Sequence, residues 1–140
     1  MEISLRKVEE KDWDFILNLR NKKEFKKYFH NQENIIKKDH YEYLNKQKNN
    51  SNFFNWIICD NSNDVGYVRI LDNDISIMIK PSYHGKGIGT DVIKLVEIEA
   101  KKLGIKYLIG KMMIFNKKSE KIFANNGFKL KMYWYEKDIS

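Results

Sequence analysis

The chain has 140 residues, enough for one domain, spanning 1–140, with a core of its own and no need of cross-links. Hydrophobic residues make up 42% and charged residues 32%, a globular and not a disordered profile, and the single cysteine, Cys59, excludes both a disulfide framework and a Cys/His zinc cluster. Net charge is +7, from 26 Lys and Arg against 19 Asp and Glu, which favours an anionic partner without naming it.

The first fifteen residues, MEISLRKVEEKDWDF, lack the basic start, apolar stretch and cleavage site of a secretory signal. No apolar run approaches the ~20 residues that span a bilayer, so a cytoplasmic protein without a membrane partner is expected. Alternation of Ile3 and Leu5 predicts a strand over residues 2–8. Asp12 then precedes a helical pattern in which Trp13, Ile16, Leu17 and the stem of Arg20 share a face. A second helical stretch contains Phe25, Tyr28 and Phe29, and a third, over 37–46, spaces His40, Tyr41 and Leu44 at helical intervals.

After Asn52 the pattern changes. Residues 53–59, 65–71 and 75–80 are short β-branched and aromatic runs separated by DNSND and DND, which predicts a three-stranded antiparallel meander. Cys59 falls inside the first of these runs and reads as a small buried hydrophobe. From 87 to 103 the period is helical, with Val92, Ile93, Val96, Ala100 and Leu103 on one face and Gly104 as the stop. Residues 107–114 read as a strand, Asn116 as the cap of a helix running to Asn125, and 128–135 as a last strand. The order β-α-α-α-β-β-β-α-β-α-β makes a mixed α/β sheet in one domain.

Gly85, Gly87 and Gly89 lie between a strand and a helix. The first N–H groups of a helix have no internal partner, and the helix dipole adds partial positive charge there. Glycines let an anion approach that backbone closely, and diphosphate is a typical guest. The stretch gives G-x-G-x-G, which matches neither the G-x-G-x-x-G dinucleotide fingerprint nor a Walker A loop. A tight strand-to-helix turn without a ligand remains the plain alternative.

HGKGIGT, following ISIMIKPSY, resembles the acetyl-CoA loop Q/R-x-x-G-x-G/A of the GNAT superfamily of N-acetyltransferases. At the expected distance, NKKSEKIFANNGF (116–128) resembles that family's Asn-x-x-Ser/Ala helix ending in Gly-Phe. The resemblance spans the chain in element order and is specific over 74–128. It implies a single-domain α/β (α+β) fold with a largely antiparallel mixed sheet flanked by helices. It also implies acetyl-CoA as cosubstrate, with no metal. Carried over by position, His84, Gly85, Lys86, Gly87, Ile88, Gly89 and Thr90 would form the diphosphate loop. The backbone of Ile77, Met78 and Ile79 would pair with the pantetheine arm, with one of their N–H groups, Met78's among them, polarising the thioester carbonyl. Asn116 and Ser119 would meet the far end of the arm or the phosphates, and Lys118 or Lys121 the 3′-phosphate.

The implied reaction is direct attack of a primary amine, which needs a base, an N–H for the developing oxyanion and a proton for the thiolate. Asp74 matches an acidic position of many members; as part of DND it is equally a turn aspartate. This chain departs from the family at His84, where Gln or Arg is usual, and at Phe123, where many members carry a proton-donating tyrosine. Tyr83, Tyr67 and Tyr107 are the neighbouring tyrosines, and Tyr83 is taken as the candidate donor. Phe123 itself reads as core. Thirteen residues follow Gly127 where two strands are usual, and an open sheet edge invites a second copy. Arg20 and Asn21, closing the first helix in LNLRNKKEF, resemble the subsets that acetylate nucleotide-linked amino sugars and ribosomal-protein amino termini. The lysines between Lys22 and Lys48 suit an anionic sugar nucleotide better than a basic peptide. A protein amino terminus and a CoA-binding module with little catalysis are the alternatives; no nucleic-acid motif is present.

Overall fold

Two tight turns set the sheet. Asp72 and Asn73 adopt left-handed φ angles of 48° and 72°, so that Leu71 faces Asp74 across a two-residue hairpin. Asn61, at φ 54°, turns the preceding hairpin. The computed structural model describes residues 1–29 and 33–140. In chain order the elements are β1 (Ile3–Lys7), α1 (Trp13–Arg20), α2 (Lys23–Lys26), α3 (Lys37–Gln47), β2 (Phe53–Asp60), β3 (Asn63–Leu71), β4 (Asp74–Ile79), α4 (Ile88–Lys102), β5 (Ile109–Gly110) and α5 (Lys117–Asn125). The five strands lie side by side in sequence order, antiparallel except for the parallel pair β4–β5. The expected fold class and the central meander are therefore present.

Strand alternation sends successive side chains to opposite faces. Trp56, Ile58, Val68, Ile70 and Ile75 pack against Ile88, Val92, Val96 and Ala100 of α4. Ile57, Cys59, Tyr67 and Met78 pack on the other face, against Trp13, Ile16 and Leu19 of α1, Phe25 of α2 and Leu44 of α3. Each fully buried aliphatic side chain of this kind contributes about 1.5–3 kcal/mol. Cys59 is buried as expected, and burial pushes its thiol pKa up, which keeps it protonated and unreactive. Where β3 crosses a bulge in β2 the chain needs Gly66: a Cβ there would stand 2.4 Å from the Met78 carbonyl oxygen.

Three expectations change. The second helix is a single turn, with Tyr28 and Phe29 beyond it. The strand over 107–114 contracts to Ile109–Gly110, because β5 pairs with β4 only there. Residues 128–135 form no strand. Leu130, Met132, Tyr133 and Trp134 are each more than 70% exposed, and β-forming side chains without a partner ladder do not make one.

Candidate functional site

Backbone direction decides which groups of β4 are open. Lys80 donates its N–H to the Val65 carbonyl on β3, at 2.8 Å. Alternation along an antiparallel ladder then turns the amides of Ser76 and Met78 toward β3, and those of Ile75, Ile77 and Ile79 the other way. The β5 side agrees, since Ile109 donates to the Asn73 carbonyl at 2.7 Å. Pairing with β5 covers only Asp74↔Ile109 and Ile75↔Gly110. The strands part beyond that point, leaving the backbone edge of Ile77 and Ile79 uncovered by any strand among the described residues.

The chain next makes one 3-10 turn, Pro81–Tyr83, and enters the glycine segment. Gly85 and Gly87 take φ angles of 77° and 76°, a conformation that side chains resist. Gly87 caps α4 without a side-chain hydrogen bond, and the first helical bond runs from the Asp91 N–H to the Gly87 carbonyl. The N–H groups of Ile88, Gly89 and Thr90 therefore point out of the helix end, together with its dipole. A Cβ added at Gly85 or Gly87 would meet nothing within 4 Å, so the glycines are required by conformation and not by crowding. An anion can approach there. Lys86 Nζ lies 5.2 Å from the ring centre of Tyr83, whose ring packs on the α4 side of the core.

The second motif meets the first. Asn116 caps α5 by accepting from the Ser119 N–H at 3.2 Å. At the other end Asn126 donates to the Ile122 carbonyl at 2.7 Å and approaches Thr90 Oγ1 at 3.5 Å. Lys118 and Lys121 are exposed on α5. Phe123 is half-buried and packs against the core: it stacks edge-on against Phe128 at 4.8 Å and lies so close over Gly110 that a Cβ there would stand 2.8 Å from its ring.

On the opposite face of β4, Asp74 shares its row with Ser76 and Met78. Arg69 Nη1 donates both to the Asp74 carbonyl at 2.9 Å and to its Oδ2 at 3.2 Å. Asp74 Oδ1 is buried and has no hydrogen-bond partner. In the same row Asn55 donates to the Tyr67 hydroxyl at 3.2 Å, and burial pushes that phenol's pKa up to about 12. Tyr67 thus points along the sheet toward β2, away from the parting of β4 and β5. Asp74 lies two residues from Ser76, roughly 7 Å along the strand at ~3.3 Å per residue, where the strands separate.

The two residues at the end of α1 differ. Asn21 exchanges two hydrogen bonds with the Ile35 backbone, 2.8 and 2.9 Å, tying α1 to the approach of α3. The Arg20 guanidinium stands 3.8 Å from the ring centre of Phe29, and burial lowers its pKa.

Sequence reasoning missed Arg69, Asn55 and Gly110. Threading the hairpins through their turns would have found the first two. Asn55, Arg69 and Ser76 then fall opposite one another, polar residues in a row that is otherwise core. Among the described residues there is no group of metal ligands and no helix long and apolar enough to cross a membrane.

Comparison with known proteins bears on the same elements. The family model for an acetyltransferase (GNAT) domain matches residues 2–129. A search of curated proteins gave no match. A domain from Methanocaldococcus jannaschii is 27% identical and superimposes with a TM-score of 0.80, over 91% of this chain and 88% of that one. The spermidine N-acetyltransferase of Vibrio cholerae, solved with CoA and spermine, is 23% identical with a TM-score of 0.85, over 96% of this chain and 85% of that one. An aminoglycoside acetyltransferase in complex with coenzyme A is 16% identical with a TM-score of 0.75, over 91% and 84%. The glycine turn, the opened strand edge and the family match together place the chain in the GNAT family, among the acetyl-CoA-dependent N-acetyltransferases.

Proposed function

We propose that the chain acetylates a primary amine of a small molecule, a nucleotide-linked amino sugar being the acceptor class. The observation that carries this is the open edge of β4 running straight into the glycine turn. Acetyl-CoA supplies the activated acetyl thioester. The N–H groups of Ile88, Gly89 and Thr90, with those of Lys86 and Gly87, would hold its diphosphate, and His84 and Gly85 complete that turn. Asn116, Ser119, Lys118 and Lys121 of the adjoining helix would meet the arm or the nucleotide phosphates. Ile77 and Ile79 face the open edge and would pair with the pantetheine amides. The amide of Met78 is turned to β3, so the donor for the developing oxyanion is the N–H of Ile77.

The acceptor would enter on the face that carries Asp74. Oδ2 is held by Arg69, which leaves Oδ1 to take the proton of the attacking ammonium. The nitrogen then bonds to the acyl carbon, the carbon–sulfur bond breaks, and a proton goes to the thiolate. Phe123 has none to give. Tyr83 stands at the glycine turn and not at the parting of the strands, so as donor it would act through water.

Arg20 and the lysines of α2 and α3 would give the acceptor side positive charge, with the neutral Asn21 beside them. That charge repels a polycation such as the spermine found with the Vibrio protein and favours an amine that carries phosphate. A second copy of the chain would complete the sheet beyond β5.

A thiol-release assay with acetyl-CoA and three acceptors is the test: an amino sugar nucleotide, spermidine and a basic peptide with a free amino terminus. Release with the sugar nucleotide alone is expected, with sedimentation showing twice the monomer mass. Release only with the peptide or polyamine would replace the acceptor class. Calorimetric CoA binding without any release would leave a binding module.

A further inference from the structure

His84 occupies the position where the family usually places Gln or Arg, yet its ring is bonded to the end of β4. The chain after β4 bends back on itself. Pro81 opens a 3-10 turn, with hydrogen bonds from the Tyr83 N–H to the Lys80 carbonyl at 2.9 Å and from the His84 N–H to the Pro81 carbonyl at 3.1 Å. This fold-back sets His84 Nε2 2.7 Å from the carbonyl oxygen of Ile79. A carbonyl only accepts, so Nε2 carries a proton and is engaged with the backbone. That nitrogen is spent on the strand and not on a diphosphate oxygen.

The acceptor of this bond is what gives it meaning. Ile79 belongs to the row of β4 whose backbone faces the open edge, and its carbonyl is the last one of that edge. The Lys80 N–H ties this end of β4 to β3, and the His84 bond is made on the other edge of the strand. On the other side of the imidazole stands the edge of the Phe25 ring, 5.8 Å between centres, and Phe25 is itself buried on α2. The ring is thus braced from the acceptor face of the sheet and bonded to the cofactor edge.

Resting on the reading above, we propose that His84 is a positioning residue. By holding the Ile79 carbonyl, it fixes the register at which the pantetheine arm lies along Ile77 and Ile79. Its effect passes through the strand and involves no contact with the diphosphate.

Two donors separate these roles: acetyl-CoA, and S-acetylpantetheine, which keeps the arm but has neither diphosphate nor nucleotide. The His84→Ala variant is expected to lose about tenfold in kcat/KM with both donors while melting at the wild-type temperature. His84→Gln, whose amide N–H can reach the same carbonyl, is expected to recover most of that loss. Affinity for the bare arm is read independently as inhibition of acetyl-CoA turnover by pantetheine, which should weaken in His84→Ala. A loss confined to acetyl-CoA would assign His84 to the diphosphate and overturn the proposal, as would no loss with either donor or a glutamine variant no better than alanine. If the wild-type protein releases thiol from neither donor, the acetylation reading falls first; if it does and the variants fail this pattern, only the role of His84 falls.

Discussion

The two faces of β4 are built from different materials. Toward α4 and the glycine turn, the strand presents Ile75, Ile77 and Ile79, and the groups that can bind there are backbone: the edge of Ile77 and Ile79 and the N–H groups at the start of α4. Toward α1–α3 it presents Asp74, Ser76 and Met78, beside Arg69, Tyr67 and Asn55, and the binding groups there are side chains. A backbone site needs only conformation, which a few glycines and a strand supply. A side-chain site needs partners brought together from β2, β3 and β4, as Arg69 and Asn55 are here, with Asp74 Oδ1 the atom left without a partner. The first kind tolerates change in most surrounding residues; the second does not.

The sharpest way to break this contrast is Asp74→Asn. Asparagine keeps an oxygen for Arg69, so the fold should hold, but it cannot take a proton from the acceptor. We expect kcat to fall about a hundredfold, within the ~10²–10⁴ range of general base catalysis, with KM for acetyl-CoA unchanged. Steady-state kinetics with both substrates varied decide it. An unchanged kcat would reduce Asp74 to the turn aspartate that its DND context also allows.

A second, smaller effect tests how the side-chain face is anchored. Arg6 grips Asp12 through two hydrogen bonds of 2.8 Å and reaches Asp64 at 3.0 Å, just where α1 begins. Asp12 is buried, and the Arg6 hydrogen bond holds its carboxyl below the usual carboxylate range, while the same pair raises the guanidinium. Because the folded pKa is depressed, this stability is present above the unfolded value of about 4 and is lost as pH falls through the folded one. Asp12→Asn should cost about 2 kcal/mol at neutral pH, discounted for the one-third exposure of Arg6, and should flatten the acid limb of Tm against pH. His40 adds to that limb in the wild-type protein: buried with Nε2 2.9 Å from the Trp13 carbonyl, it resists protonation, so its share of stability also declines on acidification. An acid limb as steep in Asp12→Asn as in the wild type would show that the Arg6 pair does not govern it.

The same contrast explains what could be read from the sequence. The glycine turn, α4 and the meander announce themselves by period and by turn residues, because a backbone site is written locally. Cys59 was legible as core because it sits in an apolar run, and Phe123 as a packing residue because Ile122 precedes it. The Arg69 anchor of Asp74 depends on a register between β3 and β4 that no single stretch displays, and His84 looks like a phosphate ligand until the Pro81 turn is seen to fold it back. Arg6 and Asp12 are six residues apart, yet their partner Asp64 is fifty-eight away from Arg6. The failed strand over 128–135 is the converse case. Its residues have the right propensity, but a strand is a relation with a neighbour, and among the described residues that neighbour is absent.

The last test separates what glycine does for the fold from what it does for a ligand. Gly87 must remain glycine for conformation, since alanine at φ 76° is strained by about 1–2 kcal/mol. Gly89 is different: it is the second residue of α4, and a Cβ there would sit 3.7 Å from the Ile122 side chain, an ordinary contact. Alanine should therefore stabilise the helix by up to about 1 kcal/mol and raise Tm slightly. If Gly89 is there to let the diphosphate approach the backbone, the same substitution should raise KM for acetyl-CoA about tenfold while leaving turnover of S-acetylpantetheine untouched. A more stable protein with an unaltered KM would mean that the third glycine of the turn serves neither the fold nor the ligand.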